Sequence, residues 1–231
     1  MKKILVTGGE GRFANELKKI KTPVKFIFLN KKQLNICDYN SIIKAINKYK
    51  PKTILHLAGL SRPMNIHERN INKSISLNII GTANLVAACS EHKIKIIYFS
   101  TSYIYPGKKG NYNENDSLLP WNNYGWSKLG GECSVQMYKN SLILRACMTE
   151  KPFTHKKAYS NVKSNFIYHE DLIVKFLKIL DKKGVYNIGG KSQSIYDFAK
   201  KNNRNIKKIY SSGEFPLNQD MNLKKLNKSI K

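Results

Sequence analysis

A tyrosine followed four residues later by a lysine can make a tuned proton donor. On a helix the two side chains share a face, and the ammonium favours phenolate and lowers the phenol's pKa from near 10. The stretch NNYGWSKLGGE, residues 122–132, holds such a pair, Tyr124 and Lys128. Spacing alone does not identify it. With 13 tyrosines, and 41 lysines and arginines among 231 residues, the same interval recurs at Tyr105/Lys109, Tyr159/Lys163 and Tyr196/Lys200. The first spans Pro106-Gly107, which no helix accommodates. The second lies in a polar stretch, and the third is on a late segment with no glycine-rich partner. Tyr124 differs in place: it follows the apolar run IKIIYFS and its terminal Ser100-Thr101.

A second group of residues suits a phosphate. TGGEGRFA puts Gly8, Gly11 and Ala14 at three-residue intervals, directly after an apolar run and into a helical pattern. Gly8 permits a tight turn, Gly11 lets backbone approach a pyrophosphate, and the helix start stabilises its charge. Arg12 and Phe13 follow as expected cofactor contacts. At the end of the second apolar run stand Asn30, Lys31 and Lys32, without the acid that usually takes the ribose hydroxyls of NAD. Arg12 and the lysines can instead pair with a 2′-phosphate, so NADP is expected ahead of NAD.

These groups need a scaffold, and the hydrophobic pattern supplies one. Apolar strands are expected at 2–7, 24–29, 52–59, 94–100 and 141–146. Helices are expected at 11–20, 39–50, 66–92 and 122–139. Continuous apolar strands alternating with amphipathic helices predict a parallel sheet covered on both faces: a doubly wound, Rossmann-type α/β fold with ligands at the carboxyl ends of the strands. After residue 150 the pattern thins to a helix at 171–180, a short strand at 184–190, a helix at 194–201 and a tail. Residues 1–150 therefore read as the dinucleotide-binding domain. Residues 151–231 read as a reduced C-terminal substrate lobe, interleaved with the first.

Composition narrows the function classes. The formal net charge of +26 is carried mostly by dispersed lysine; arginine occurs only at 12, 62, 69, 145 and 204. That predicts attraction for anions but no specific nucleic-acid partner. No apolar run reaches the roughly 20 residues of a membrane span. The opening MKKILVTGGEGRF has no signal-peptide h-region. Four cysteines without a C-x-x-C pair argue against a metal site and for a reducing, cytoplasmic setting.

Five stretches, TGGEGRFA, KTILHLAG, SLNIIGTANLVAAC, IIYFSTSYIYPG and YGWSKLGGE, resemble the extended short-chain dehydrogenases/reductases that act on nucleotide sugars, in that family's order. The branch most similar is that of the dTDP-4-dehydrorhamnose reductases. The resemblance implies Tyr124 as catalytic tyrosine, Lys128 as its lysine and Thr101 as the hydroxyl partner. It further implies Asn35 and Ile36 near adenine, Ala58 and Gly59 along the cofactor, and Asn78 as support for the active site. The implied activity is NAD(P)H-dependent reduction of a 4-keto nucleotide sugar, with a homodimer left open. A 4-epimerase or a non-catalytic dinucleotide-binding regulatory subunit are the alternatives. Ser102-Tyr103 lacks the acidic pair that related dehydratases carry after the threonine. Arg62 and Arg145 stand as diphosphate or substrate contacts, or, for Arg145, as a structural ion-pair residue.

Overall fold

The computed structural model describes residues 3–230; Lys2 of the expected first strand and Lys231 of the expected tail lie outside the described residues. Strand β1 (Lys3–Thr7) is buried at every position after Lys3, as a strand covered on both faces must be. It leads through glycines into α1 (Arg12–Lys19), followed by β2 (Lys25–Phe28), α2 (Tyr39–Tyr49) and β3 (Thr53–His56). Helix α2 starts at Asp38, whose carboxylate accepts from Ser41 N–H, and stops at Lys50 in the left-handed region before Pro51.

The stretch 66–92 departs from the single helix that its periodicity predicts. It forms α3 (Ile66–Arg69), α4 (Ile71–Ser74), a π-helical turn at Ile75–Ile80 and α5 (Gly81–Glu91). Asn70 breaks the first junction at φ −140° and caps α4 through Lys73 N–H. The π turn widens the ladder by one residue, and Asn78 within it is buried. The polar partners that Asn78 finds inside the fold are tertiary, so hydropathy alone does not reveal the irregularity.

Strand β4 (Lys95–Thr101) is buried throughout and ends in a 3₁₀ turn at Ser102–Ile104. Then come α6 (Asn123–Gln136), β5 (Ser141–Ala146), β6 (Met148–Thr149), β7 (Lys157–Tyr159), β8 (Lys163–Ser164) and β9 (Ile167–Tyr168). The chain closes with α7 (His169–Lys178), β10 (Gly184–Ile188), β11 (Gln193–Ser194), α8 (Ile195–Lys200), β12 (Lys207–Ile209) and α9 (Lys224–Ile230). Six strands form a parallel central sheet in the order β10-β5-β4-β3-β1-β2. Strand β10, which the sequence groups with the C-terminal lobe, is its edge. The order reverses between β1 and β3, the switch point at which doubly wound sheets bind ligands. Register sets Thr7 beside His56 and His56 beside Tyr98 across β1, β3 and β4.

The chain divides into two compact units. One holds Met1–Ser100, Trp126–Leu144 and Lys182–Gly184; the other holds Thr101–Gly125, Arg145–Asp181 and Val185–Lys231. In the first, α6 lies against the π turn because Gly131 has no side chain. A Cβ there would stand 2.8 Å from the Tyr98 hydroxyl and would strike the Asn78 carbonyl. In the second, the small ladders β6–β9, β7–β12 and β8–β11 surround a core that includes Phe153, Val162, Tyr168, Ile195 and Phe198. Gly131→Ala is expected to cost about 1–3 kcal/mol through overpacking. The measurement is urea unfolding, with a lowered midpoint and an unchanged slope; a native midpoint would refute this packing.

Candidate active site

The glycine turn is built by close approach of two strand ends. Gly8 sits at φ +66°, and a Cβ on it would lie 2.7 Å from the Ala58 backbone, where L side chains do not fit. Gly9 N–H donates to Leu29 O at 2.8 Å and Gly11 N–H to Gly8 O at 2.9 Å, fixing the turn over the ends of β1 and β2. Gly11 is the N-cap of α1 and no side chain caps the helix, so its start suits an anion. These are features into which a dinucleotide pyrophosphate fits. Ala58 and Gly59 continue the rim. A Cβ on Gly59 would stand 2.9 Å from Asn78 Oδ1, so bare backbone passes there.

The remaining expected cofactor residues fall in different settings. Arg12 donates from Nη2 to Ser61 Oγ at 2.9 Å, towards the loop after β3. Phe13 turns inward and packs on Phe99 at 4.8 Å. Asn35 N–H bonds Ser41 Oγ, and Ile36 is buried. Asn30 donates from Nδ2 to Glu10 Oε1 at 3.2 Å. A carboxylate therefore does stand at the end of β2, contributed by the glycine turn. Reading the chain in order shows only Asn30, Lys31 and Lys32 there.

Beneath the rim runs a buried polar row. His56 Nδ1 lies 2.9 Å from Thr7 Oγ1, and Nε2 lies 3.1 Å from Thr82 Oγ1. Thr82 spends its only hydroxyl proton on Asn78 O at 2.8 Å, so it must accept from His56 Nε2–H. The neutral ring then accepts at Nδ1 from the Thr7 hydroxyl, whose oxygen in turn receives Leu57 N–H and Ala58 N–H. Asn78 closes the row. Its Oδ1 accepts from Leu60 N–H at 2.7 Å, and its Nδ2 donates to Leu60 O and Ser127 Oγ at 2.9 and 2.8 Å.

Ser127 and Lys128 sit side by side on α6. The Lys128 Nζ lies over the ring of Tyr98, 4.2 Å from its centroid, and the Tyr98 hydroxyl donates to Lys128 O at 3.0 Å. Burial lowers the Lys128 pKa from 10.5 to about 7, partly opposed by the Glu132 carboxylate one turn on. Burial, and then the charge of Lys128, lower His56 to about 3. Tyr124 lies one turn before Lys128 on the same helix.

In the second unit, Thr101 is buried at the end of β4, and its Oγ1 accepts from Tyr103 N–H at 3.3 Å. The Tyr103 ring meets Tyr124 edge-on at 5.9 Å and also touches Trp121 and Phe215 at 5.2 and 5.9 Å. Arg145 is wholly buried and donates from Nη1 to the Tyr105 hydroxyl and Glu114 O, at 2.8 and 2.9 Å. The other Tyr/Lys pairs are engaged elsewhere. Lys109 binds Asp116 at 3.0 Å, Tyr159 and Lys163 are on separate strands, and Lys200 covers Tyr196 at 5.5 Å on an outer helix. Among the described residues no group of three His, Cys, Asp or Glu is placed to hold a metal, and no helix is long and apolar enough to cross a membrane.

A six-stranded parallel sheet with flanking helices and a glycine turn after its first strand defines a Rossmann-type protein. Within that class, the chain belongs to the family described as RmlD substrate binding domain, which matches residues 1–149. It is 29% identical over 154 residues to the dTDP-4-dehydrorhamnose reductase of Aggregatibacter actinomycetemcomitans, covering 64% of this chain and 52% of that one. It is 35% identical over 101 residues to methionine adenosyltransferase 2 subunit beta of Danio rerio, covering 44% of this chain and 30% of the relative. The chain thus spans about half the length, or less, of these curated relatives. In structure it is similar to the dTDP-4-dehydrorhamnose reductase of Bacillus anthracis, solved in complex with NADP. The TM-score is 0.86 at 22% identity, over 98% of this chain and 91% of that one.

The polar row has a measurable consequence. In the unfolded chain His56 takes a proton near pH 6.5, and in the fold only near about 3. Below 6.5 the unfolded state therefore binds a proton that the native state refuses, and stability falls with pH through that window. The His56 ring nitrogens are expected to keep neutral, Nε2–H signals in NMR spectra from pH 8 to 5. A titration midpoint near 6.5 would contradict the assigned row.

Proposed function

We propose that this chain is an NAD(P)H-dependent reductase of a 4-keto nucleotide sugar. The observation that carries the reading is the place of Lys128, one helical turn after Tyr124 and with its Nζ over the buried ring of Tyr98. A reduced nicotinamide dinucleotide, held at the glycine turn by Gly8 and Gly11, would supply hydride to the ketone carbon. The protein's task is to deliver a proton to the ketone oxygen as charge develops there. Tyr124 gives that proton, and solvent restores it. Lys128 lowers the cost of the resulting phenolate, and its ammonium donors orient the nicotinamide ribose. The Thr101 hydroxyl, which accepts from Tyr103 N–H, keeps its own proton to donate to the same oxygen.

The name of the Aggregatibacter relative supports the substrate class, and the NADP complex of the Bacillus structure supports the cofactor. The cofactor is NADP or NAD, since Arg12 and Lys31 suit a 2′-phosphate while the Glu10 carboxylate beside Asn30 suits ribose hydroxyls. Gly8, Gly11, Arg12, Phe13, Asn30, Lys31, Asn35, Ile36, Ala58, Gly59 and Asn78 stand around it. Residues 151–231, apart from the sheet strand β10 and its lead-in from Lys182, serve as the substrate lobe. Two exposed free thiols, Cys37 and Cys133, favour a reducing compartment such as the cytoplasm. The similarity to the beta subunit of methionine adenosyltransferase supports a second reading, a dinucleotide-binding regulatory subunit without turnover.

Purified protein given a dTDP-4-keto-6-deoxy sugar is expected to consume NADPH. Tyr124→Phe should lower kcat by about 10²–10⁴-fold while NADP, titrated by tryptophan quenching, binds as before. Native turnover in Tyr124→Phe would sink the mechanism. Cofactor binding with no turnover of any nucleotide sugar would favour the regulatory subunit.

A further inference from the structure

We propose that Tyr98 is a positioning residue whose ring face holds the Lys128 ammonium in the place from which it acts on Tyr124. The inference rests on the role given to Lys128 above and adds a residue to it. Tyr98 is fully buried in β4, three positions before Thr101. Lys128 Nζ stands 4.2 Å from its ring centroid. Among the described residues no hydrogen bond or ion pair engages that nitrogen. The Tyr98 hydroxyl grips the same residue from its other end, donating to Lys128 O at 3.0 Å. Gly131 leaves the room this hydroxyl needs. Ring and hydroxyl together fix both the backbone and the amine of Lys128.

A ring face suits this task better than a carboxylate. A paired acid would hold the ammonium but cancel the field that the phenol must feel. The negative face of an aromatic ring attracts the cation and carries no net charge. The titratable groups facing Lys128 are consistent with this. His56, on β3, packs on Tyr98 at 5.6 Å and stays neutral, so it does not repel the ammonium. Glu132 lies one turn further along α6 and acts through its field alone. Tyr124 lies on the preceding turn. The Lys200/Tyr196 pair, at 5.5 Å on outer helix α8, shows that a lysine over a ring is not in itself a site. At Tyr98 the ring is fully buried and the contact is tied to a second bond.

The test separates ring from hydroxyl. Tyr98→Phe keeps the ring face, and Tyr98→Leu removes it; Tyr98→Met replaces Leu if that variant does not fold. The first readout is the titration of Lys128 Nζ by NMR, and the second is the pH dependence of kcat. Tyr98→Phe, which loses only the hydroxyl bond to Lys128 O, should shift both by less than half as much as the variant without a ring. The variant without a ring should titrate lower by about one pH unit, and the descending limb of kcat should move down with it. A ringless variant in which Lys128 titrates as in the native protein, or higher, overturns the proposal. So does a Phe variant that shifts as far as Leu. The titration needs no substrate, so it decides the role of Tyr98 even if Tyr124→Phe shows that the catalytic reading is wrong.

Discussion

The hydrogen-bonded row from Thr7 through His56 and Thr82 to Asn78 is the constraint on which the first unit depends. Parallel register sets Thr7 beside His56. Burial keeps the ring neutral, and one hydroxyl proton on Thr82 then dictates the direction of every bond. Buried polar groups tolerate such a row only when each member is satisfied. The row therefore locks the end of β1, the end of β3 and the π turn together. Asn78 extends it to the loop after β3 through Leu60 and to α6 through Ser127. The glycine turn and Lys128 are thus supported by one continuous set of bonds.

Electrostatics follows from the same burial. Desolvation acts on two bases at once and pushes both His56 and Lys128 towards neutrality. The outcome differs because their partners differ. His56 has two hydroxyls that suit the neutral ring and a cation nearby that opposes a second charge. Lys128 has a ring face and the field of Glu132, both of which favour its ammonium. A histidine charged at this point would repel the Lys128 ammonium, so the neutral row protects the lysine's charge.

The core of the fold was legible because its signals are local. Four-residue strands such as TILH and the run KIIYFST are buried throughout, and helices at the expected places follow them. The glycine turn was legible for the same reason: Gly8 must enter a region that side chains avoid, and that demand appears in the sequence as glycine. The stretch 66–92 is less legible. Its apolar spacing is that of one helix, yet Asn70 interrupts it and the π turn rotates Asn78 inward. The pull came from Leu60 and Ser127, which are 18 and 49 residues away in the chain.

By itself, the sequence determined which segments are strand or helix, where backbone must pass without a side chain, and that Tyr124 and Lys128 share a helical face. Each of these depends on residues within a few positions of one another. Only the tertiary structure decided what surrounds them. It brought the Glu10 carboxylate to Asn30, set Tyr98 under Lys128, and made Arg145 a buried donor to Tyr105 and Glu114. Those partners meet through strand register and close packing over long chain separations. Charge, desolvation and hydrogen-bond direction depend on distance in space, and sequence order does not carry that distance.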